Sequence, residues 1–99
     1  MVMDSSNRIE AHMTMEERYE ALSLVFKNDE KLTNKILLKI DKVKEKTDMN
    51  PLICERFSKE REDAHTIMIE FHDDVHRVGG GFFTELLREL KIDKCEKDI

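Results

Sequence analysis

A single proline organises this chain. Asn50-Pro51 stands between two long stretches without glycine or proline, and the three glycines are gathered in one block, Gly79-Gly80-Gly81. Asparagine favours helix N-caps, and proline is tolerated at the first helical position, where its missing amide is not needed. Proline also drives the residue before it out of the α region. One regular element therefore ends before Asn50, and the residue pair predicts a helix starting at Pro51.

Upstream, Thr14-Met15-Glu16-Glu17 has the form of a capping box, in which Thr14 and Glu17 each satisfy an amide at the other's position. Apolar residues then follow at Tyr19, Leu22, Val25/Phe26, Leu32, Ile36, Ile40 and Val43, mostly three or four apart, which is the stripe of a helix with one buried face. The spacing predicts a helix over 14–46. Its weak point is Asn28-Asp29, where an acid stands near the expected apolar position; the stretch either runs through or breaks there, and the lack of a breaker favours continuity.

Downstream, the seam reads Ile53, Phe57, Ala64, Ile67/Met68, Phe71, Val75 and Val78, close to a heptad, with Glu60 intruding. It predicts a second helix from Pro51 to about Val78. Two such helices joined by a few residues lie antiparallel. The glycine block ends the second helix as a flexible joint. A short amphipathic helix follows over 82–90, with Phe83, Leu86, Leu87 and Leu90 on one side. The expected fold is all-α: an antiparallel, coiled-coil-like hairpin plus a short C-terminal helix, within a three- or four-helix bundle. Residues 1–13 read as a mobile arm, 14–92 as the helical unit and 93–99 as a charged tail.

Composition supports narrow seams over a thick core. The chain has 99 residues, 39% of them charged and 39% hydrophobic, with no Trp, one Tyr and five Phe. Its net charge of −5 argues against broad phosphate binding. Charge is uneven: residues 27–46 hold seven Lys against four acids (+3), and residues 51–78 hold four basic residues against seven acids (−3). Lys27, Lys31, Lys35, Lys39, Lys42 and Lys46 form a row that is read as facing the acids of the second helix across the hairpin. No aromatics interleave with them, so base stacking is not suggested. The longest apolar runs are three residues, far short of the roughly 20 that a membrane span needs. No apolar leader is visible at the N-terminus, and Cys54 and Cys95 are too few for a disulfide framework, so reduced thiols in cytoplasm or nucleus are expected.

Little in the sequence suggests chemistry. His65, His72 and His76 would lie near one line of the second helix, and His72 and His76, four apart, could reach one metal. A di-metal bundle needs more of the Glu-x-x-His pattern than the one instance, Glu62 to His65. Cys54 would lie in a first helical turn, where a thiol pKa can fall, but Ser58 stands where a partnering base is wanted. Glu16-Glu17, Asp29-Glu30 and Asp73-Asp74 are neighbours along the chain and do not face one another.

In overall build, residues 15–78 resemble the small helical subunits of multi-subunit assemblies, without a motif that transfers a functional residue. The expected function is a non-enzymatic protein–protein interaction module, an adaptor or small subunit that binds a helical protein or itself. No cofactor and no nucleic acid is expected. The expected contacts are a seam of Ile36, Ile40, Val43, Phe57, Phe71 and Val75 and a face of Phe83, Leu86, Leu87 and Leu90, which either docks on a partner or folds back as a third helix over the hairpin. The alternative is a metal- or ligand-binding bundle that uses His65, His72 and His76.

Overall fold

A computed structural model of the chain describes residues 9–27, 29–58, 64–73, 78–92 and 96–98. It overturns the all-α expectation. The fold is mixed α/β: strands β1 (Ile9–Met15) and β2 (Tyr19–Lys27), helix α1 (Glu30–Thr47), strands β3 (Leu52–Ser58) and β4 (Ala64–His72), helix α2 (Gly79–Glu89) and the short strand β5 (Glu96–Asp98). The described strands form one sheet in the order β3-β4-β2-β1-β5. Its first four strands are antiparallel, and β5 joins β1 in parallel. Among the described residues there is no helical hairpin and no coiled coil.

The first hairpin forms where an arm and a helix start were expected. Ile9, Ala11 and Met13 alternate with Glu10, His12 and Thr14, a period of two that presents one apolar face. On β2 the same inner face receives Glu20, Leu22, Leu24 and Phe26. Glu16 N–H donates to Tyr19 O at 2.8 Å, so the supposed capping box closes a strand-to-strand turn.

The chain does break at Asp29. Asp29 is the N-cap of α1, its carboxylate accepting from the amides of Lys31 (3.0 Å) and Leu32 (3.3 Å). Glu30 in the first turn and Lys44 and Lys46 in the last complement the helix dipole. From Leu32 onward the helical stripe is real: Leu32, Ile36, Ile40 and Val43 are the buried face. The helix stops at Asp48, which adopts the left-handed region (φ 56°).

Pro51 then introduces a strand. Its fixed φ suits the entry to an edge strand as well as a helix start. β3 and β4 pair from Leu52↔Glu70 to Ser58↔Ala64, and β4 pairs with β2 on its other side. β2 and β3 therefore run parallel with β4 inserted between them, and α1 is the crossover connecting them.

The glycine block opens α2 and does not serve as a hinge; no glycine has positive φ. At its far end, Ile92 N–H reaches Leu87 O (2.9 Å) and Lys91 N–H reaches Arg88 O (3.1 Å), with Lys91 at φ 58°, the arrangement of a Schellman cap. Both helices lie on the inner face of the sheet. Thr33 of α1 meets His65 Nδ1 at 3.2 Å, and Phe71 makes edge-to-face contacts with Phe82 and Phe83 at 5.6 and 5.7 Å. The single core lies between the two layers, built from Ile9, Ala11, Met13, Leu22, Leu24, Phe26, Ile67 and Ile69 below and α1 and α2 above.

Candidate functional site

One helical layer covers one face of the sheet, and among the described residues no helix or strand covers the other. Side chains on that second face fall into cross-strand rows set by register: Glu10–Val25–Thr66–Arg56, His12–Ser23–Met68–Cys54 and Thr14–Ala21–Glu70–Leu52, with Tyr19 beside His72 at one end and Lys27 beside Ala64 at the other. The middle is small and uncharged: Ala21, Ser23, Val25, Thr66, Met68 and Cys54. Ala21 is buried and the other five are half-buried. Among the described residues, charge stands at Glu10, Lys27 and Arg56 and at Glu70, which lies on the interior strand β4 opposite Ala21. Three strand spacings make the face about 14 Å wide. A neutral centre with a polar rim is the usual anatomy of a docking surface.

One polar cluster is built on this face. Tyr19 hydroxyl donates to Glu70 Oε1 at 2.9 Å, and His72 Nε2 lies 3.0 Å from Glu70 Oε2. The Tyr19 and His72 rings meet edge to face, with centroids 5.1 Å apart. Tyr19 and Glu70 are diagonal neighbours across the β2–β4 ladder, within reach of long side chains. The His72 hydrogen bond, aided by Tyr19, holds the Glu70 carboxyl below its ordinary range. Partial burial, then the bond to Glu70, pushes the Tyr19 phenol above its ordinary value. Both shifts lead away from neutrality. The trio ties the ends of two neighbouring strands together on this face.

The expected contact residues lie elsewhere. Ile36, Ile40, Val43, Phe83, Leu86 and Leu90 are at most 2% exposed in this chain's own core, and Phe71 and Leu87 pack against it. They are sheltered because the segment over 82–90 folds onto the sheet and α1. Phe57 stands opposite His65 in the ladder. Val75, His76 and Cys95 lie outside the described residues.

The histidine row does not exist as a row. His65 and His72 are seven apart on a strand, so they point to opposite faces. His65 is buried on the inner face, with Glu55 Oε1 3.2 Å from its Nε2; His72 is exposed on the outer one. Among the described residues no group of three His, Cys, Asp or Glu is placed to hold a metal. The lysine row splits. Lys27 belongs to β2, while Lys39 and Lys42 bond Glu89 (3.4 and 3.0 Å) and Lys46 bonds Glu85 (2.5 Å). Acids do face the lysines, but α2 supplies them, since the acidic stretch expected to form the opposing arm is the β3–β4 hairpin. No described helix is long and apolar enough to cross a membrane.

The open-face residues Val25, Thr66 and Met68 were absent from the sequence-derived contacts, although one signal marks them. On β4 the even positions Thr66, Met68 and Glu70 alternate with the apolar odd positions Ile67, Ile69 and Phe71, the pattern of a half-buried strand. Comparison with protein-family models, with curated proteins and with solved structures finds no match.

Proposed function

We propose that this chain is a non-enzymatic protein–protein interaction module, an adaptor or small subunit of a larger assembly, and that it docks through the open face of its sheet. The observation that carries the reading is the uncharged centre of that face, the strip Ala21–Ser23–Val25 on β2 beside Thr66–Met68 on β4 and Cys54 on β3. The adjoining Tyr19–Glu70–His72 clamp supports it, because cross-strand bonds stiffen a flat surface before docking and so reduce the ordering cost of association. The helical seam has no part in this reading. The cytoplasm or nucleus suits it, since a half-buried free Cys54 thiol on the edge strand of a docking face is best kept reduced.

Met68→Glu tests it by placing a charge at the centre of the face without touching the core. Sedimentation velocity of the native assembly reads the outcome, beside crosslinking from a photoreactive residue at Thr66. The expected result is loss of association by about tenfold or more with an unchanged thermal melt. An assembly that survives Met68→Glu, or that yields no crosslink from Thr66, overturns the reading.

A further inference from the structure

The described sheet ends in two unlike strands, β5 beyond β1 and β3 beyond β4. β5 is three residues long, and very short edge strands recruit no further strand. β3 is seven residues long, Leu52–Ser58, with no glycine or proline inside it. Among the described residues it pairs with β4 alone, so on its other side a row of backbone N–H and C=O groups is presented to an incoming strand.

Edges of this length are usually guarded by a proline, by lysines or by a charge aimed inward. β3 has one inward charge, Glu55, and it is engaged elsewhere: its Oε1 stands 3.2 Å from His65 Nε2 on β4. Arg56 and Leu52 lie on the open face of the sheet, in the rows of Thr66 and Glu70, and both are exposed. Leu52 is 53% exposed, one of three large apolar side chains so placed among the described residues.

The geometry points to a second copy of this chain as the strand that completes the edge: β3 pairs antiparallel with the partner's β3 across a two-fold axis, and the two sheets join into one. Charge complementarity selects both the partner and the register. The strand carries one positive and one negative charge, so it does not repel its own copy. For the helical layers to stay on the same side of the joined sheet, residues that meet must share parity, and the axis passes through a residue of β3. Three such axes keep at least five residues of each strand in register, those through Cys54, Glu55 and Arg56. The axis through Glu55 sets that carboxylate opposite its own copy, and the axis through Arg56 does the same to the guanidinium; like charges directly opposite are destabilising. The axis through Cys54 opposes no like charges. It sets Arg56 opposite the partner's Leu52, Glu55 opposite the partner's Ile53, and Cys54 opposite the partner's Cys54. The exposed Leu52 then packs along the aliphatic stem of an arginine, twice in each dimer. This inference is independent of docking by the open face.

The test is sedimentation equilibrium of the full chain from low to high micromolar concentration, in a Cys95→Ser background. The expected result is a reversible dimer. Leu52→Lys puts an ammonium opposite the partner's Arg56 at two places and is expected to weaken the dimer about tenfold. Leu52→Glu at the same exposed position supplies a carboxylate there and is expected to tighten it. The double variant Leu52→Lys/Arg56→Glu reverses the opposed pair and is expected to restore the dimer, and a thermal melt equal to wild type establishes that each variant is folded. Diamide, which takes up the two thiol hydrogens as the S–S bond forms, is expected to link Cys54 to the partner's Cys54, because opposed residues of antiparallel strands have Cα atoms about 4.5–5.5 Å apart, within disulfide reach. A chain that stays monomeric overturns the inference. So does a dimer that Leu52→Lys leaves intact, or one that diamide does not link through Cys54. Self-association that is lost with Met68→Glu and kept with Leu52→Lys belongs to the open face and overturns the edge alone.

Discussion

Gly79 is where two side chains from the sheet approach the start of α2 most closely. A Cβ at this position would stand 2.5 Å from Glu20 Oε1 and 2.8 Å from Phe71 Cδ2. Both are inner-face groups, and Glu20 is fully buried. Gly81, two residues on, would place a Cβ in open space. The same chemical change is therefore expected to have opposite signs. Gly79→Ala forces the Glu20 carboxylate or the Phe71 ring to move and lowers stability by about 1–3 kcal/mol, as overpacking does. Gly81→Ala removes backbone freedom from the unfolded chain and raises stability by about 0.5–1 kcal/mol. Urea unfolding of the two variants checks this, and destabilisation by Gly81→Ala equal to that by Gly79→Ala would contradict the assignment of Gly79 as a packing glycine. His65 is set with comparable economy. Thr33 hydroxyl donates to Asp29 O at 2.9 Å and stands 3.2 Å from His65 Nδ1. Through this relay the N-cap turn of α1 is tied to the middle of the sheet.

At the scale of elements, helix and strand periods coincide on the residues that carry most of the apolar weight. Ile53, Phe57, Ile67, Phe71 and Val75 are all odd-numbered, so their separations of four satisfy a heptad and an alternation equally. Ile69 separates the two: it falls off the helical seam and onto the strand's inner row, where it is fully buried. The β-branched and aromatic density of Thr66–Phe71 pointed the same way. On β2 the alternation was masked, because Glu20 stands inside the buried row and Ala21 and Val25 supply apolar residues to the open one. α1 was legible from Leu32 onward because its separations of four and three come from residues of both parities. The open face was not legible, since nothing local in a sequence says which side of a strand the helices will cover. α1 and α2 also share a charged margin with a defined response to acid. The Lys46 ammonium bonded to Glu85 holds that carboxyl below its ordinary value, and Lys42 with Lys39 does the same for Glu89. Folded values below the unfolded 4.5 mean that these groups stabilise the fold above pH 4.5 and lose that contribution as pH falls through the folded values. Unfolding at stepped pH is expected to show a steeper acid loss for wild type than for Glu85→Gln/Glu89→Gln, with the two curves converging at low pH. Parallel curves across that window would mean the margin pairs contribute nothing to stability.

For the whole molecule, the two layers divide the work. The helices supply the apolar mass that closes the core, while the sheet keeps one broad surface out of it. A monomer with this arrangement exposes its central strands to solvent on one side, and Cys54 reports on that side directly. It lies in the row His12–Ser23–Met68–Cys54, on the edge strand β3 as far as the described residues show, and is half-buried. In a Cys95→Ser background, a bulky maleimide is expected to modify Cys54 under native conditions and to leave the cooperative melt in place, because an adduct there meets solvent and not packed side chains. The adduct should then block association through the face by bulk alone. If Cys54 were instead covered, modification would require opening of the fold, and its rate would rise steeply in sub-denaturing urea along with global unfolding. A urea-independent rate in the isolated protein, together with protection when the assembly forms, is the expected pair of results. Urea-dependent labelling of the isolated chain would place another element over the sheet, and labelling that continues undiminished in the assembly would move the docking surface off this face.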